Sequence, residues 1–157
     1  MIKIICIGKN KDSALKSLEK EYSKRCSSFT KLSIVEVKDE PTLHMDRENE
    51  IQRITQLEAD RVLKQIKDDD FVVLLDLDGD MLDSIQFSKK LDQWQSQGKH
   101  IVFVIAGSCG PHQRLVKRAQ FRWKLSDLTF THLMTRVLLL EQIYRGFSIL
   151  HQRNYHK

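Results

Sequence analysis

Residues 101–105 are apolar at every position and run directly into a short turn that contains Gly107 and Gly110. A strand that is apolar throughout has both faces covered, as in a parallel sheet between two layers of helices. Such sheets bind ligands beyond the carboxyl ends of their strands. The turn could therefore belong to a ligand site, although the two glycines could equally serve only to turn the chain.

The composition is that of a globular domain. The chain has 157 residues, of which 41% are hydrophobic and 30% are charged, and no apolar run is long enough to cross a membrane. Residues 1–157 are therefore predicted to form a single domain. Residues 1–8 lack the cleavage site of a signal peptide and are interpreted as a strand. The odd number and wide spacing of Cys6, Cys26 and Cys109 favour a reducing cytoplasm over a disulfide framework or a zinc site.

The positive charge is concentrated in one part of the chain. Residues 1–98 carry 16 basic and 19 acidic side chains, whereas residues 99–157 carry 10 basic and 2 acidic ones. Lysine and arginine supply the phosphate contacts of nucleic-acid-binding proteins, so the basic part that contains the glycine turn favours a nucleic-acid partner. The alternative is a solvated basic face without a partner.

Strand-like and helix-like segments alternate, which predicts an α/β fold with a mostly parallel sheet between helices. A second apolar run, residues 71–77, is predicted to be another central strand that ends in an Asp-Gly turn at residues 78–80. The other predicted strands are residues 2–8, 32–37 and 121–125; the predicted helices are residues 13–26, 51–66, 84–98, 111–118 and 131–151; and residues 38–46 are predicted to be an exposed loop.

Local signals predict the ends of these helices. Ser13 and Ser84 are expected to cap the first and third helices. Gly98 is expected to end the third helix, and Pro111 is expected to lie in the first turn of the fourth.

The last predicted helix is apolar around most of its circumference. A small domain cannot cover such a helix completely, so we expect a homodimer that packs through it. Arg136 and Arg145 interrupt the apolar surface and should each meet a partner, such as Glu141, a carbonyl group or a substrate. For Arg145 a structural ion pair is expected.

The glycine turn lacks the spacing of a dinucleotide fingerprint and the G-K-[ST] of a phosphate loop. This pattern favours an adenosine-type ligand without a phosphate chain, held by backbone groups and apolar walls. Residues 125–130 could supply a second part of such a pocket or could simply cap the last helix. Cys109 and His112 could form a thiol nucleophile and its base, although no third group that orients them is evident. The six histidines show no metal-ligand spacing, and no metal is expected.

Four motifs occur together in an order that resembles the bacterial RlmH family. They lie at residues 103–110, 125–132, 136–145 and 155–157, and the similarity extends from residue 2 to the terminal Tyr-His. The family usually carries a Gly-Gly pair where this chain has Ala106 and Gly107, so an additional methyl group must fit beside the backbone turn.

The resemblance implies a SPOUT-type fold with a C-terminal trefoil knot and a homodimer packed through the knotted region. It also implies an enzyme that uses S-adenosylmethionine to methylate N3 of a pseudouridine in the 23S rRNA of the large ribosomal subunit. The cofactor site implied by the resemblance consists of Leu75, Ala106, Gly107, Leu125, Ser126, Asp127, Leu128, Thr129 and Phe130.

The catalytic residues implied by the resemblance are His132, Arg136, Tyr155 and His156. We expect His156 or His132 to assist removal of the N3 proton, Arg136 to stabilise charge on the base and Tyr155 to stack on it or orient it. Two other classes of function remain as alternatives, namely a non-enzymatic rRNA-binding or ribosome-assembly protein and a hydrolase that depends on Cys109.

Overall fold

In the computed structural model, which describes residues 1–42, 47–97 and 100–157, strands and helices alternate along the chain. The strands are β1 (Ile2–Ile7), β2 (Leu32–Val37), β3 (Phe71–Asp80), β4 (Ile101–Ile105) and β5 (Phe121–Trp123). The helices are α1 (Ser13–Cys26), α2 (Glu48–Leu63), α3 (Ser84–Gln97), α4 (Gln113–Arg118) and α5 (His132–Leu150).

All five strands belong to one parallel sheet with the order β2-β1-β4-β3-β5. The first residue of β4, Ile101, is in register with Ile2 of β1 and Phe71 of β3. Both apolar runs identified in the sequence are therefore neighbouring strands, as predicted. The α/β class and the parallel sheet are confirmed, whereas the knot stays a prediction.

The alternate side chains of β4 enter two different hydrophobic clusters. Ile101, Phe103 and Ile105 pack with residues of α1, α3 and α5 on one face of the sheet. Val102 and Val104 pack with residues of α2 and α4 on the other face. The same alternation holds along the first part of β3. Two-sided burial thus explains why these segments are apolar at every position.

Two expected helix caps differ in detail from the structure. The carboxylate of Asp12, rather than Ser13, caps α1 by accepting a hydrogen bond from the Leu15 amide at 3.0 Å. Asp83 and Gln86 bond reciprocally at the start of α3, so Ser84 does not cap that helix. In each case an aspartate one position earlier accepts the bond, because a carboxylate also interacts favourably with the helix dipole.

The short helix α4 begins after His112, whose Nδ1 accepts from the Arg114 amide at 3.1 Å. Pro111 therefore precedes the helix instead of lying in its first turn. Helix α2 ends at Leu63, before its predicted limit at residue 66. Gly98, which was expected to end α3, lies outside the described residues. Residues 38–42 contain no regular element, and the rest of the predicted loop, residues 43–46, also lies outside the description.

The prediction of a turn at residues 78–80 is wrong, because β3 continues to Asp80. Leu75 and Asp80 both pair with Trp123 of β5, so the residues between them form a bulge. A β-carbon at Gly79 would lie 2.5 Å from the Arg122 carbonyl oxygen. The Asp-Gly pair therefore allows two backbones to approach closely. β5 itself ends at Trp123, before the predicted limit of residue 125.

Helix α5 packs between α1 and α3, and Thr131 caps it by accepting from the Met134 amide at 3.3 Å. Its predicted limits are confirmed. Leu139, Leu140 and Ile143 are completely buried, whereas Met134 is 39% exposed. In the described part of the chain, no helix combines the length and apolar character needed to span a membrane.

Replacing Gly79 by alanine should lower the free energy of unfolding by about 3 kcal/mol, because the new methyl group would overlap the β5 backbone. Gly110→Ala is a matched control, since no atom lies within 4 Å of its β-carbon position and only the positive φ of 78° opposes it. We expect the control to lose about 1 kcal/mol. Denaturant unfolding of both variants checks this, and a Gly79 variant as stable as wild type would contradict the bulge.

Candidate functional site

A cavity of about 720 Å³ lies at the carboxyl ends of β3, β4 and β5. This is the edge at which parallel sheets bind ligands. Its walls come from the ends of these strands, the turn after β4, the segment between β5 and α5, and the first turn of α5. The residues that line it are Leu75, Asp76, Leu77, Asp78, Ile105, Ala106, Gly107, Ser108, Cys109, Gly110, Pro111, Trp123, Leu125, Ser126, Leu128, Thr129, Phe130, Thr131, His132 and Thr135.

The glycine turn both reverses the chain and lines the cavity. The Gly110 amide donates to the Gly107 carbonyl at 3.0 Å, and the positive φ of Gly110 suits glycine. The extra methyl of Ala106 packs against the cluster under α2 and α4. Gly107 has less space, because a β-carbon there would lie 3.2 Å from Ile7 and 3.3 Å from Glu58.

The segment between β5 and α5 also has two structural roles. The Ser126 hydroxyl accepts from the Leu128 amide at 3.0 Å and shapes the turn, while both residues line the cavity. Asp127 differs from its neighbours, because it does not line the cavity and its carboxylate pairs with Lys124 at 2.5 Å. Eight of the nine residues of the implied cofactor site are therefore brought together around one cavity.

The β3 bulge supplies a polar part of the wall that the sequence reasoning missed. Asp76 is buried and accepts from Arg122 of β5 at 2.8 Å and from the Asp78 amide at 2.9 Å. These bonds fix the bulge beside the cavity. The signal in the sequence was a single carboxylate within an apolar run.

His132 is the only one of the four implied catalytic residues that lines the described cavity. Burial lowers the pKa of its imidazole, and repulsion from Arg136 lowers it further, while Asp39 acts in the opposite direction. The lowered pKa favours a neutral ring near neutral pH, and a neutral imidazole can accept a proton.

Arg136 lies one turn further along α5 and is 1% exposed. Its guanidinium contacts Glu36 at 2.6 Å and Glu19 at 3.6 Å, and it donates to the Gly8 carbonyl at 2.7 Å. The expectation that this arginine has partners is confirmed. These contacts fasten α5 to the ends of β1 and β2, and they leave the guanidinium away from the cavity.

Tyr155 and His156 lie against the later part of α5. Glu141, which the sequence reasoning considered only as an ion-pair partner, accepts from the Tyr155 hydroxyl at 3.2 Å and pairs with Arg145 at 2.5 Å. Arg145 also contacts the His156 Nδ1 at 3.1 Å. The expected ion pair of Arg145 is thus confirmed, and it organises a second polar cluster.

This tail cluster and the cavity are separate within one chain. None of Glu141, Arg145, Tyr155 and His156 lines the cavity. Arg145 follows His132 by 13 residues along α5, which corresponds to about 20 Å along the helix axis. The four implied catalytic residues are therefore not assembled around the cavity of a single protomer.

The proposed thiol and base do not form a catalytic pair. Burial raises the pKa of Cys109, and the charge of Glu58 raises it further. His112 uses its Nδ1 to cap α4. These contacts disfavour a reactive thiolate, so the geometry gives no support to a hydrolase.

Comparison with known proteins agrees with this arrangement. A family model described as a predicted SPOUT methyltransferase matches residues 1–156. The chain is 44% identical to ribosomal RNA large subunit methyltransferase H of Ruminiclostridium cellulolyticum, and the match covers 99% of each chain. It is 41% identical to the protein of the same name from Caldicellulosiruptor saccharolyticus over 100% of both chains. The corresponding protein of Clostridium tetani is 44% identical over 99% of each.

A solved structure, that of a probable methylase family protein from Haemophilus influenzae, shares the fold with a TM-score of 0.54. The match has 14% sequence identity and covers 99% of this chain and 70% of that one. The SPOUT-type fold expected from the sequence is confirmed. With the family match over residues 1–156 and relatives above 40% identity over the full length, the chain belongs to the RlmH family of SPOUT methyltransferases.

Proposed function

We propose that this protein transfers a methyl group from S-adenosylmethionine to N3 of a pseudouridine in the 23S rRNA of the large ribosomal subunit. The observation that carries the proposal is the cavity at the carboxyl edge of the sheet, which gathers eight of the nine implied cofactor residues. The names of the relatives supply the class of substrate. We further propose that residues 1–157 act as one domain in the cytoplasm.

The cavity suits a ligand with an adenosine part and no phosphate chain. Leu75, Leu125 and Phe130 offer apolar walls, and the turn after β4 offers backbone groups. When bound, S-adenosylmethionine supplies a methyl group on a positively charged sulfur. The work of the protein is then to hold the acceptor nitrogen in line with that methyl group and to exclude water.

The N3 proton must leave before N3 can act as a strong nucleophile. His132 lines the cavity with a lowered pKa, so its neutral ring is a candidate acceptor for this proton. Arg136 is held by two carboxylates and a carbonyl group, so we propose that it acts by positioning the start of α5 rather than by direct contact with the base.

We propose that a homodimer unites the cavity with the tail cluster. Several apolar side chains around the cavity and the starts of α3 and α5 are exposed, and such a patch favours association with a second copy. The tail of one protomer would then complete the partner's site. The exposed apolar residues of this patch are Leu77, Met81, Ile85, Leu128, Phe130 and Met134.

The other candidate function, a non-enzymatic rRNA-binding protein, rests on the basic charge of residues 99–157. Calorimetric titration with S-adenosylmethionine separates the candidates, because only the methyltransferase needs a saturable donor site. Absence of binding would contradict the proposed function.

Gly107→Ala should weaken S-adenosylmethionine binding about tenfold, because the methyl group crowds Ile7 and Glu58 and displaces the turn. Gly146→Ala is a matched control, since its β-carbon would meet Leu91 and Phe87 at 3.2–3.3 Å, in the core under α5. The control should lose stability with little change in affinity. Equal affinities of the wild type and the Gly107 variant, measured by calorimetry, would contradict the role of the turn.

The tail should act in the partner's site. Tyr155→Ala with His156→Ala should abolish methyl transfer while S-adenosylmethionine still binds, because neither residue lines the cavity of its own chain. This variant is then mixed with a Gly107→Ala variant, and activity is measured at saturating RNA and limiting donor. Half of the resulting dimers contain one chain of each variant, and each of these mixed dimers has one intact site out of two. Activity should therefore return to about a quarter of the wild-type value. Failure of the mixture to regain activity would contradict the shared site.

A further inference from the structure

A buried carboxyl group lies directly behind the turn that forms one wall of the cavity. Glu58 of α2 is 3% exposed, and its Oε2 accepts from the Glu40 amide at 3.0 Å. Its Oε1 is buried and has no hydrogen-bond partner among the described residues. A buried carboxyl oxygen without a hydrogen-bond partner lowers the stability of the fold, so its position beside the cavity wall requires an explanation.

Gly107 separates Glu58 from the cavity with backbone atoms alone. A β-carbon at Gly107 would lie 3.3 Å from Oε1 and 3.4 Å from Oε2 of Glu58, while Gly107 itself lines the cavity. Little water lies between the Glu58 carboxyl group and a ligand in the cavity, so the electrostatic interaction between them is only weakly screened.

The surroundings of Glu58 make its ionised form unfavourable. Burial is the main reason that its pKa is raised, and the nearby Asp39 and Glu40 raise it further. The hydrogen bond from the Glu40 amide lowers the pKa, and so does the charge of Arg61, although the Arg61 guanidinium is paired with Glu40 and the Lys38 carbonyl. Cys109, in the turn itself, is also disfavoured as an anion by Glu58. A cation brought into the cavity would be the missing counter-charge.

We propose that Glu58 is a positioning residue that makes the cavity prefer a methyl donor with a positively charged sulfur to the product of the transfer, whose sulfur is neutral. This inference rests on the proposed function. During transfer the bond between sulfur and methyl breaks with both electrons remaining on sulfur, the methyl group bonds to N3, and the N3 proton passes to a base. S-adenosylmethionine thereby becomes S-adenosylhomocysteine, which has one positive charge fewer. Loss of that charge removes the attraction of Glu58 and favours release of the product.

If Glu58 acts in this way, binding of the donor is linked to release of a proton from its carboxyl group. A cation near Glu58 stabilises the carboxylate and lowers its raised pKa, so that a proton leaves when the donor binds. By the same linkage, affinity for the donor increases as the pH rises through the pKa of Glu58 in the empty protein. S-adenosylhomocysteine, which lacks the sulfonium charge, should show neither effect.

Calorimetry with S-adenosylmethionine and with S-adenosylhomocysteine tests this, in two buffers of different ionisation enthalpy between about pH 5 and pH 8. The full-length chain is compared with Glu58→Gln, which can still accept from the Glu40 amide, and with Glu58→Asp, which retains the charge. In Glu58→Gln the preference for the donor should fall by about tenfold or more and proton release should disappear, because the charge that attracts the donor is removed. Glu58→Asp should retain part of both.

Asp60→Asn is the matched control, since it removes one carboxylate from the same helix at an exposed pair with Arg114. It should behave as the wild type in both titrations. Thermal unfolding of each variant establishes that it is folded before titration.

Each outcome bears on the proposal. If Glu58 only supports the backbone, Glu58→Gln weakens both ligands equally and the preference is unchanged, which would overturn the inference. Proton release that persists in Glu58→Gln belongs to another group and overturns it too. The wild type alone is also decisive, because equal proton release with donor and product would contradict the proposal even if Glu58→Gln did not fold. Absence of binding by either ligand would instead refute the proposed function.

Discussion

The two central strands of the sheet are buried on both faces, and this burial determines where the helices pack and where a ligand can bind. Because β4 contributes alternate side chains to two separate hydrophobic clusters, helices must cover both sides of the sheet. When helices cover both faces of a sheet, a ligand can reach it only at the ends of the strands, where the loops lie. At the carboxyl edge the turn after β4, the bulge of β3 and the segment before α5 therefore surround one cavity.

Buried charges then set the finer geometry of this edge. Arg136 joins the start of α5 to the ends of β1 and β2, and so fixes the helix turn that presents His132. Glu58 fixes the segment after β2 through the Glu40 amide and lies against Gly107. Of these two groups, Glu58 lies next to a residue of the cavity wall, where removal from water strengthens its influence on whatever binds in the cavity.

Much of the fold was predictable from the sequence, because continuous apolar runs and helical periodicity are local signals. The same signals could not reveal the bulge of β3, since the Asp-Gly pair at residues 78–79 is typical of a turn and only the close approach of Arg122 shows its real role. The cap of α1 at Asp12 was missed for a similar reason, because two adjacent residues could each accept the bond. The cofactor residues followed from family resemblance, and the position of the tail relative to the cavity depends on long-range packing that no local pattern encodes.

The activity that we propose for this RlmH-family chain is methylation of N3 of a ribosomal pseudouridine. The most direct measurement incubates the purified protein with S-adenosylmethionine labelled in its methyl group and with ribosomes from a strain that lacks the enzyme, followed by mass spectrometry of the nucleosides of the 23S rRNA. We expect the label to appear in N3-methylpseudouridine. Unlabelled 23S rRNA, or label on a different nucleoside, would contradict it.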